Sequence, residues 1–223
     1  MAKDEVTTMR LALGLLQVLI IISVATPSQA LKRYKKPPFL GRTVVSGWAG
    51  ATEPLDEFGR RSTFVDVHGS STGGNHDTPG YHGMVELEHY FSPNVSLGFS
   101  YSQGRYNDID LADTLQTHTA AFGGYFRITT SNAGAIHPFI KLGLSSMRVE
   151  FDSPKEFVRS NYSAAFDAGA GFMLLMGRHL SINGMATYTY GWTREAYIAS
   201  ADAIVGFDVS YWGAMAGVSL YFP

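Results

Sequence analysis

Apolar residues recur at every second position along most of this chain. At the C-terminal end Trp212, Ala214, Ala216, Val218, Leu220 and Phe222 alternate with Gly213, Met215, Gly217 and Ser219. Farther back, Val95, Leu97, Phe99 and Tyr101 alternate with Ser96, Gly98, Ser100 and Ser102. Residues 180–192 repeat the pattern, with Leu180, Ile182, Ala186, Tyr188, Tyr190 and Trp192 opposite Ser181, Asn183, Met185, Thr187 and Thr189. A period of two predicts strands with two unlike faces. These runs cover 8 to 13 residues. A soluble strand usually has about 5–6 residues, whereas a membrane-spanning one needs about 9–11. Length therefore points to the bilayer.

Further strands are predicted over 81–91, 114–128, 137–151, 161–176 and 205–222, with Pro138 at a strand start, where its missing N–H is tolerated. The connections alternate in kind. Residues 92–94, 130–134 and 177–179 are short turns, while 70–80, 107–113, 152–160 and 194–202 are mostly longer and more polar. Short turns at one end and longer loops at the other is the arrangement of a membrane β-barrel, which needs an even number of strands. Seven strands begin at or after residue 81, so an eighth comes from 43–51 or 61–69. The first is preferred, because Trp48 and its small neighbours suit a lipid interface; 61–69 then belongs to a raised hairpin in the first loop. The fold class read from the pattern is all-β: a transmembrane, antiparallel, eight-stranded up-and-down β-barrel. No solenoid repeat interrupts it.

The first thirty residues differ in kind. Residues 11–25 (LALGLLQVLIIISVA) are apolar except for Gln17 and Ser23, and Ser28 and Ala30 place small residues before a cleavage point. That is the layout of a secretory signal-peptide helix, too short to span a bilayer. Met9-Arg10 makes a cleaner start than the mixed charges of Lys3-Asp4-Glu5. An uncleaved anchor is the rival reading, drawn from Lys32, Arg33, Lys35 and Lys36 just beyond the apolar run. The expected organisation is a signal peptide over 1–30, a basic periplasmic lead over 31–42 that Pro37 and Pro38 keep from packing, and a barrel over 43–223.

Composition agrees. Charged residues make up 16% of the chain, against about 25% in a typical soluble domain. The net charge of −2 and the lack of a basic, aromatic-interleaved run argue against nucleic acid. There is no cysteine, which excludes disulfides and thiolate metal sites and suits passage through an oxidising compartment. The mean hydropathy of −0.00 is what alternating strands average to.

Three stretches resemble one family. Glu88-His89-Tyr90-Phe91-Ser92-Pro93-Asn94-Val95-Ser96-Leu97 reads as a descending strand, a tight turn and an ascending strand. His137-Pro138-Phe139-Ile140-Lys141-Leu142-Gly143-Leu144 and Ala168-Gly169-Ala170-Gly171-Phe172 fit beside it, as does the alternating C-terminus. Together they resemble the eight-stranded outer-membrane β-barrels, similar to the OmpA transmembrane domain, OmpX/Ail and the opacity-type porin-like proteins. The resemblance implies residence in the bacterial outer membrane, with outer-membrane lipid, lipopolysaccharide and the barrel-assembly machinery as partners. It also implies surface loops open to host or other ligands. It marks Phe222, Leu220 and Val218 as the assembly signal; Pro223 after the terminal aromatic departs from the family pattern.

Candidate chemistry is sparse. Glu86 and Glu88 lie two apart, opposite Val85 and Leu87, so both face inward. A pair of carboxylates can do acid–base work, but in a polar lumen they read as an ion-pair network with Lys141 and Asp167. Lys141 is expected to pair across the lumen with Glu88 or Glu86. By alternation with Gln116 and Ala120, His118 also reads as inward. His76-Asp77 supplies two ligands without a third, which is no metal site. Gly169-Ala170-Gly171 lacks the Lys and helix of a phosphate loop. The late strand 187–192 has neither the His nor the Ser of a lipid A deacylase. No catalytic, cofactor-binding or metal residue is expected. The function that emerges is a non-enzymatic barrel that supports the envelope and presents loops for adhesion or ligand contact. The alternatives are a narrow conduit for small apolar solutes and, below it, a lipid A-modifying enzyme.

Overall fold

The computed structural model describes residues 39–55, 62–65, 71–74, 80–107, 116–130, 134–152, 157–198 and 203–223. The expected signal peptide (1–30) and residues 31–38 of the expected basic lead lie outside them. Among the described residues eleven strands follow in order: β1 (Thr43–Leu55), β2 (Ser62–Val65), β3 (Ser71–Gly74), β4 (Gly80–Tyr90), β5 (Val95–Asn107), β6 (Gln116–Thr129), β7 (Ile136–Asp152), β8 (Phe157–Ser160), β9 (Ser163–Leu175), β10 (Leu180–Ile198) and β11 (Ala203–Phe222). Each long strand pairs antiparallel with the next long strand, and β11 pairs back onto β1. The sheet is a closed barrel of eight crossings, with β8 and β9 sharing one. The pairings Glu150 with Arg159 and Met147 with Ser163 differ by one residue in register. A bulge at Asn161-Tyr162 therefore separates the two pieces.

The eighth strand is β1, and it runs to Leu55, four residues beyond the expected end. In the region of 61–69, β2 pairs with β3 as a hairpin within the first loop. Cross-strand partners fix the barrel's shape. Starting at Thr43 and stepping through His89, Leu97, Phe126, Leu142, Ala168, Tyr188 and Trp212 returns to β1 at Glu53, a stagger of ten residues. Eight strands with that stagger, about 3.3 Å rise and about 4.8 Å spacing tilt by about 40° and enclose a backbone radius of about 8 Å. Side chains fill such a lumen.

Alternation then sorts the side chains. Leu87, Leu97, Phe99, Phe122, Leu144, Ile182, Val218, Leu220 and Phe222 stand outward, and Phe99 is 73% exposed. Water would penalise that surface and a bilayer rewards it. Inward stand Ser46, Glu86, Glu88, Ser96, Arg127, Ser181, Asn183 and Ser219, all buried. Two assignments from the sequence are overturned. Trp48 is buried inside the barrel, because it shares its face of β1 with Val44, Ser46 and Thr52. His118 lies on the outward face, because Thr117 and Thr119 take the buried positions on β6.

Packing explains why Trp48 fits. Its partner on β11 is Gly217, where a Cβ would lie 2.6 Å from the indole ring. Gly98 does the same for Tyr125. Large inward side chains thus lie flat across neighbouring glycines. The end of the lead also packs, contrary to expectation. Phe39 is buried in the short-turn mouth, stacked on Tyr90 at 5.0 Å and edge-on to His137 at 4.9 Å. Hydrogen bonds from Gly41 N to Tyr90 O and from Tyr90 N to Arg42 O tie that turn to β4.

Candidate functional site

The lumen holds a charge cluster built by three strands. β4 places Glu86 and Glu88 on one face, β6 brings Arg127, and β7 brings Lys141, the register partner of Arg127. The Arg127 guanidinium bridges both carboxylates, with Nη2 at 2.7 Å from Glu86 Oε2 and Nη1 at 2.6 Å from Glu88 Oε1. Lys141 Nζ sits 2.6 Å from Glu86 Oε1. Trp48 Nε1 donates to Glu86 Oε2 at 2.7 Å, and Ser96 donates to Glu88 Oε2 at 2.8 Å. Both cations also lie over rings: Arg127 is 4.7 Å from the Phe139 centroid and Lys141 is 4.2 Å from that of Tyr125. Two carboxylates and two cations leave the cluster neutral. Charges inside a narrow, dry tube demand such a balance.

Of the sequence-derived site residues, Glu86, Glu88 and Lys141 come together. Asp167 does not join them. Its oxygens take hydroxyl hydrogen bonds from Ser145 at 2.6 Å and Thr189 at 2.8 Å, nearer the long-loop end. Arg127, which completes the cluster, was missed. Its alternation with Tyr125 and Thr129 on a face opposite Phe126 and Ile128 would have marked it as inward-facing. Phe222, Leu220 and Val218 lie on the outward face of β11, which closes the barrel.

Around the cluster the lumen is filled. A chain of polar contacts runs from Ser46 to Ser219, on to Asn183, Ser181 and Tyr221, with spacings of 2.6 to 3.0 Å. Below, Tyr90 bonds Thr129 at 3.1 Å above the Phe39 plug. Above, Thr52 bonds Tyr106 at 3.0 Å. A small gap of about 30 Å³ lies beside Lys141, His82, Asp167 and Tyr211.

A closed antiparallel barrel with an apolar exterior, a polar filled interior, short turns at one end and longer loops at the other defines the class. This chain has the fold of an eight-stranded membrane β-barrel. No protein-family model matches it, and neither does any curated protein. Solved structures do match. Neisserial surface protein A (NspA) aligns with a TM-score of 0.54 at 14% identity, over 82% of this chain and 99% of that one. The outer membrane protein OprG from Pseudomonas aeruginosa aligns at 0.54 and 13%, over 82% and 97%. Ail, the attachment invasion locus protein of Yersinia pestis, solved with the heparin analogue sucrose octasulfate, aligns at 0.50 and 13%, over 82% and 100%. At these identities the likeness is one of fold.

Proposed function

We propose that this chain is a non-enzymatic surface barrel that supports the outer envelope and presents its loops to a partner. The observation that carries this reading is the filled lumen. Every oxygen of Glu86 and Glu88 is occupied by a donor, so neither carboxylate is free to act as a general base. The same packing speaks against a conduit, since Arg127, Trp48 and Phe139 fill the cross-section. The surrounding lipid and lipopolysaccharide, and the barrel-assembly machinery, are the partners that the location implies.

The loops point to the chemistry of a surface ligand. The long-loop connections 56–79, 108–115, 153–156 and 199–202 hold nine acidic residues against three basic ones. The Ail structure carries a heparin analogue, which is a polyanion. Acidic loops repel such a ligand and favour a cationic one. Cells displaying the protein should retain polylysine-coated beads in a salt-sensitive way and ignore heparin-coated beads. Equal retention of both, or unchanged retention after Asp108, Asp110 and Asp113 become Asn, would overturn the reading. Liposomes carrying the purified barrel should not swell in small solutes; swelling would favour the conduit.

A further inference from the structure

We infer that the short-turn mouth of the barrel carries a basic collar that docks on anionic phospholipid headgroups of the inner leaflet. The inference rests on the membrane reading given above and is independent of the loop partner. Charge is divided unevenly along the chain. The stretches at and beside the short turns, 31–52, 89–104, 128–140, 168–183 and 209–223, contain no Asp or Glu. At that end stand Lys32, Arg33, Lys35, Lys36, Arg42 and Arg178, six cations against the one terminal carboxylate of Pro223. The acidic side chains gather in the lumen and the long loops instead. A chain with a net charge of −2 is therefore strongly positive at one mouth.

The fold fixes where the basic lead attaches. Phe39 is held by Tyr90 of β4, His137 of β7 and Tyr221 of β11, with ring centroids at 5.0, 4.9 and 6.0 Å. Three strands spaced around the ring thus keep Phe39 inside the mouth. Residues 31–38 lie outside the described residues, but an eight-residue stretch spans at most about 26 Å. The barrel backbone stands about 8 Å from its axis. Every charge of the lead is therefore confined near the headgroups that ring the mouth.

The described rim continues the collar. Arg42 Nη1 donates to the carbonyl oxygen of Arg178, which brings the lead and the 177–179 turn together. Beside these arginines Leu40, Phe91 and Met176 are exposed. Apolar side chains next to clustered cations make a surface suited to a lipid interface. An acidic polymer in water would use the cations and leave the apolar groups idle. Near an anionic membrane surface each Lys or Arg strengthens association about fivefold, and salt weakens the effect.

The test uses the mature chain, residues 31–223, folded into phosphatidylcholine vesicles that contain phosphatidylglycerol as the probe. The chain has no cysteine, so Asn94→Cys places a single fluorophore on a short turn. Brominated phosphatidylglycerol should quench it with at least tenfold greater apparent affinity than brominated phosphatidylcholine. Changing Lys32, Arg33, Lys35 and Lys36 together to Gln should remove most of that preference while heat-modifiable migration is kept. Adding Arg42→Gln and Arg178→Gln should remove the remainder. Equal quenching by the two lipids, or an unchanged preference in the fourfold variant, would overturn the proposal. Displacement by soluble glycerol phosphate at the lipid's own concentration would overturn it too, because the collar would then take a free anion. Equal quenching together with lead-dependent cosedimentation with cell-wall sacculi would assign the collar to the wall instead. Failure to insert would overturn the membrane reading and the proposal with it, and it shows as lost heat-modifiable migration rather than as equal quenching. If the fourfold variant fails to fold, salt decides: a preference that does not fall between about 50 mM and about 500 mM salt sinks the idea.

Discussion

Replacing Arg127 by Met tests the energetics of the lumen most directly. Met roughly preserves the volume and removes the charge. Glu86 keeps Lys141 at 2.6 Å and Trp48 at 2.7 Å. Glu88 loses its cation and keeps only the Ser96 hydroxyl at 2.8 Å and the Tyr125 hydroxyl at 3.4 Å. A stranded buried charge of this kind costs about 3–5 kcal/mol. With a urea dependence of about 2 kcal/mol per molar, the unfolding midpoint should fall by about 2 M. The assay is urea titration of the barrel folded into lipid vesicles, followed by tryptophan fluorescence and heat-modifiable migration. Adding Glu88→Gln removes the stranded charge and leaves Glu86 with Lys141 neutral, so more than half of the loss should return. A loss under about 1 kcal/mol, or a double variant no more stable than Arg127→Met, would refute the reasoning. Arg127 also changes what Lys141→Met should do. Lys141 considered alone predicts that Glu86→Gln with Glu88→Gln rescues it. With Arg127 present, removing both carboxylates leaves the guanidinium bare, so Glu86→Gln alone should rescue and the two together should not.

Three further outcomes follow from packing. Phe39→Ala empties the short-turn mouth beneath Tyr90 and should cost about 3–5 kcal/mol in the same titration; a loss under 1 kcal/mol would show that the mouth is not sealed by Phe39. Gly217→Val drives a side chain into Trp48 and should cost about 1–3 kcal/mol, with a changed tryptophan emission; an unchanged spectrum would contradict the flat indole. Phe222→Asp puts a charge on the lipid face of the strand that closes the barrel against β1, and an unclosed edge in lipid is costly. That variant should stay in the periplasm and be protease-sensitive, and normal outer-membrane fractionation would argue against a role for this residue in assembly.

Much of the barrel was legible along the chain. Alternation at 95–102, 180–192 and 212–222 marked strands and sorted their faces, and the choice between short turns and long loops set the up-and-down order. Two faces were misassigned for different reasons. Trp48 was judged by its residue type, as an interfacial aromatic, when its strand-mates Ser46 and Thr52 already marked the inward face. His118 was grouped with Ala120 and Gln116, which are small or polar and carry no clear sign of either side. Phe39 sits beyond the first strand, behind two prolines, where no periodicity speaks for it.

By itself, the sequence determined the number of crossings, most of the lipid-facing and lumen-facing positions, and the inward position of Glu86, Glu88 and Lys141, because a period of two is a local property that survives in any register. Which inward groups meet was decided only by closure. The ten-residue stagger brings β6 and β7 across from β4, so Arg127 lands between two glutamates some forty residues away while Asp167 is lifted to the level of Ser145 and Thr189. The same stagger lines Arg105 up with His118, Glu150 and Arg159 on the outside. Register is set jointly by turns, bulges and packing around the whole ring, and no single stretch of chain contains it.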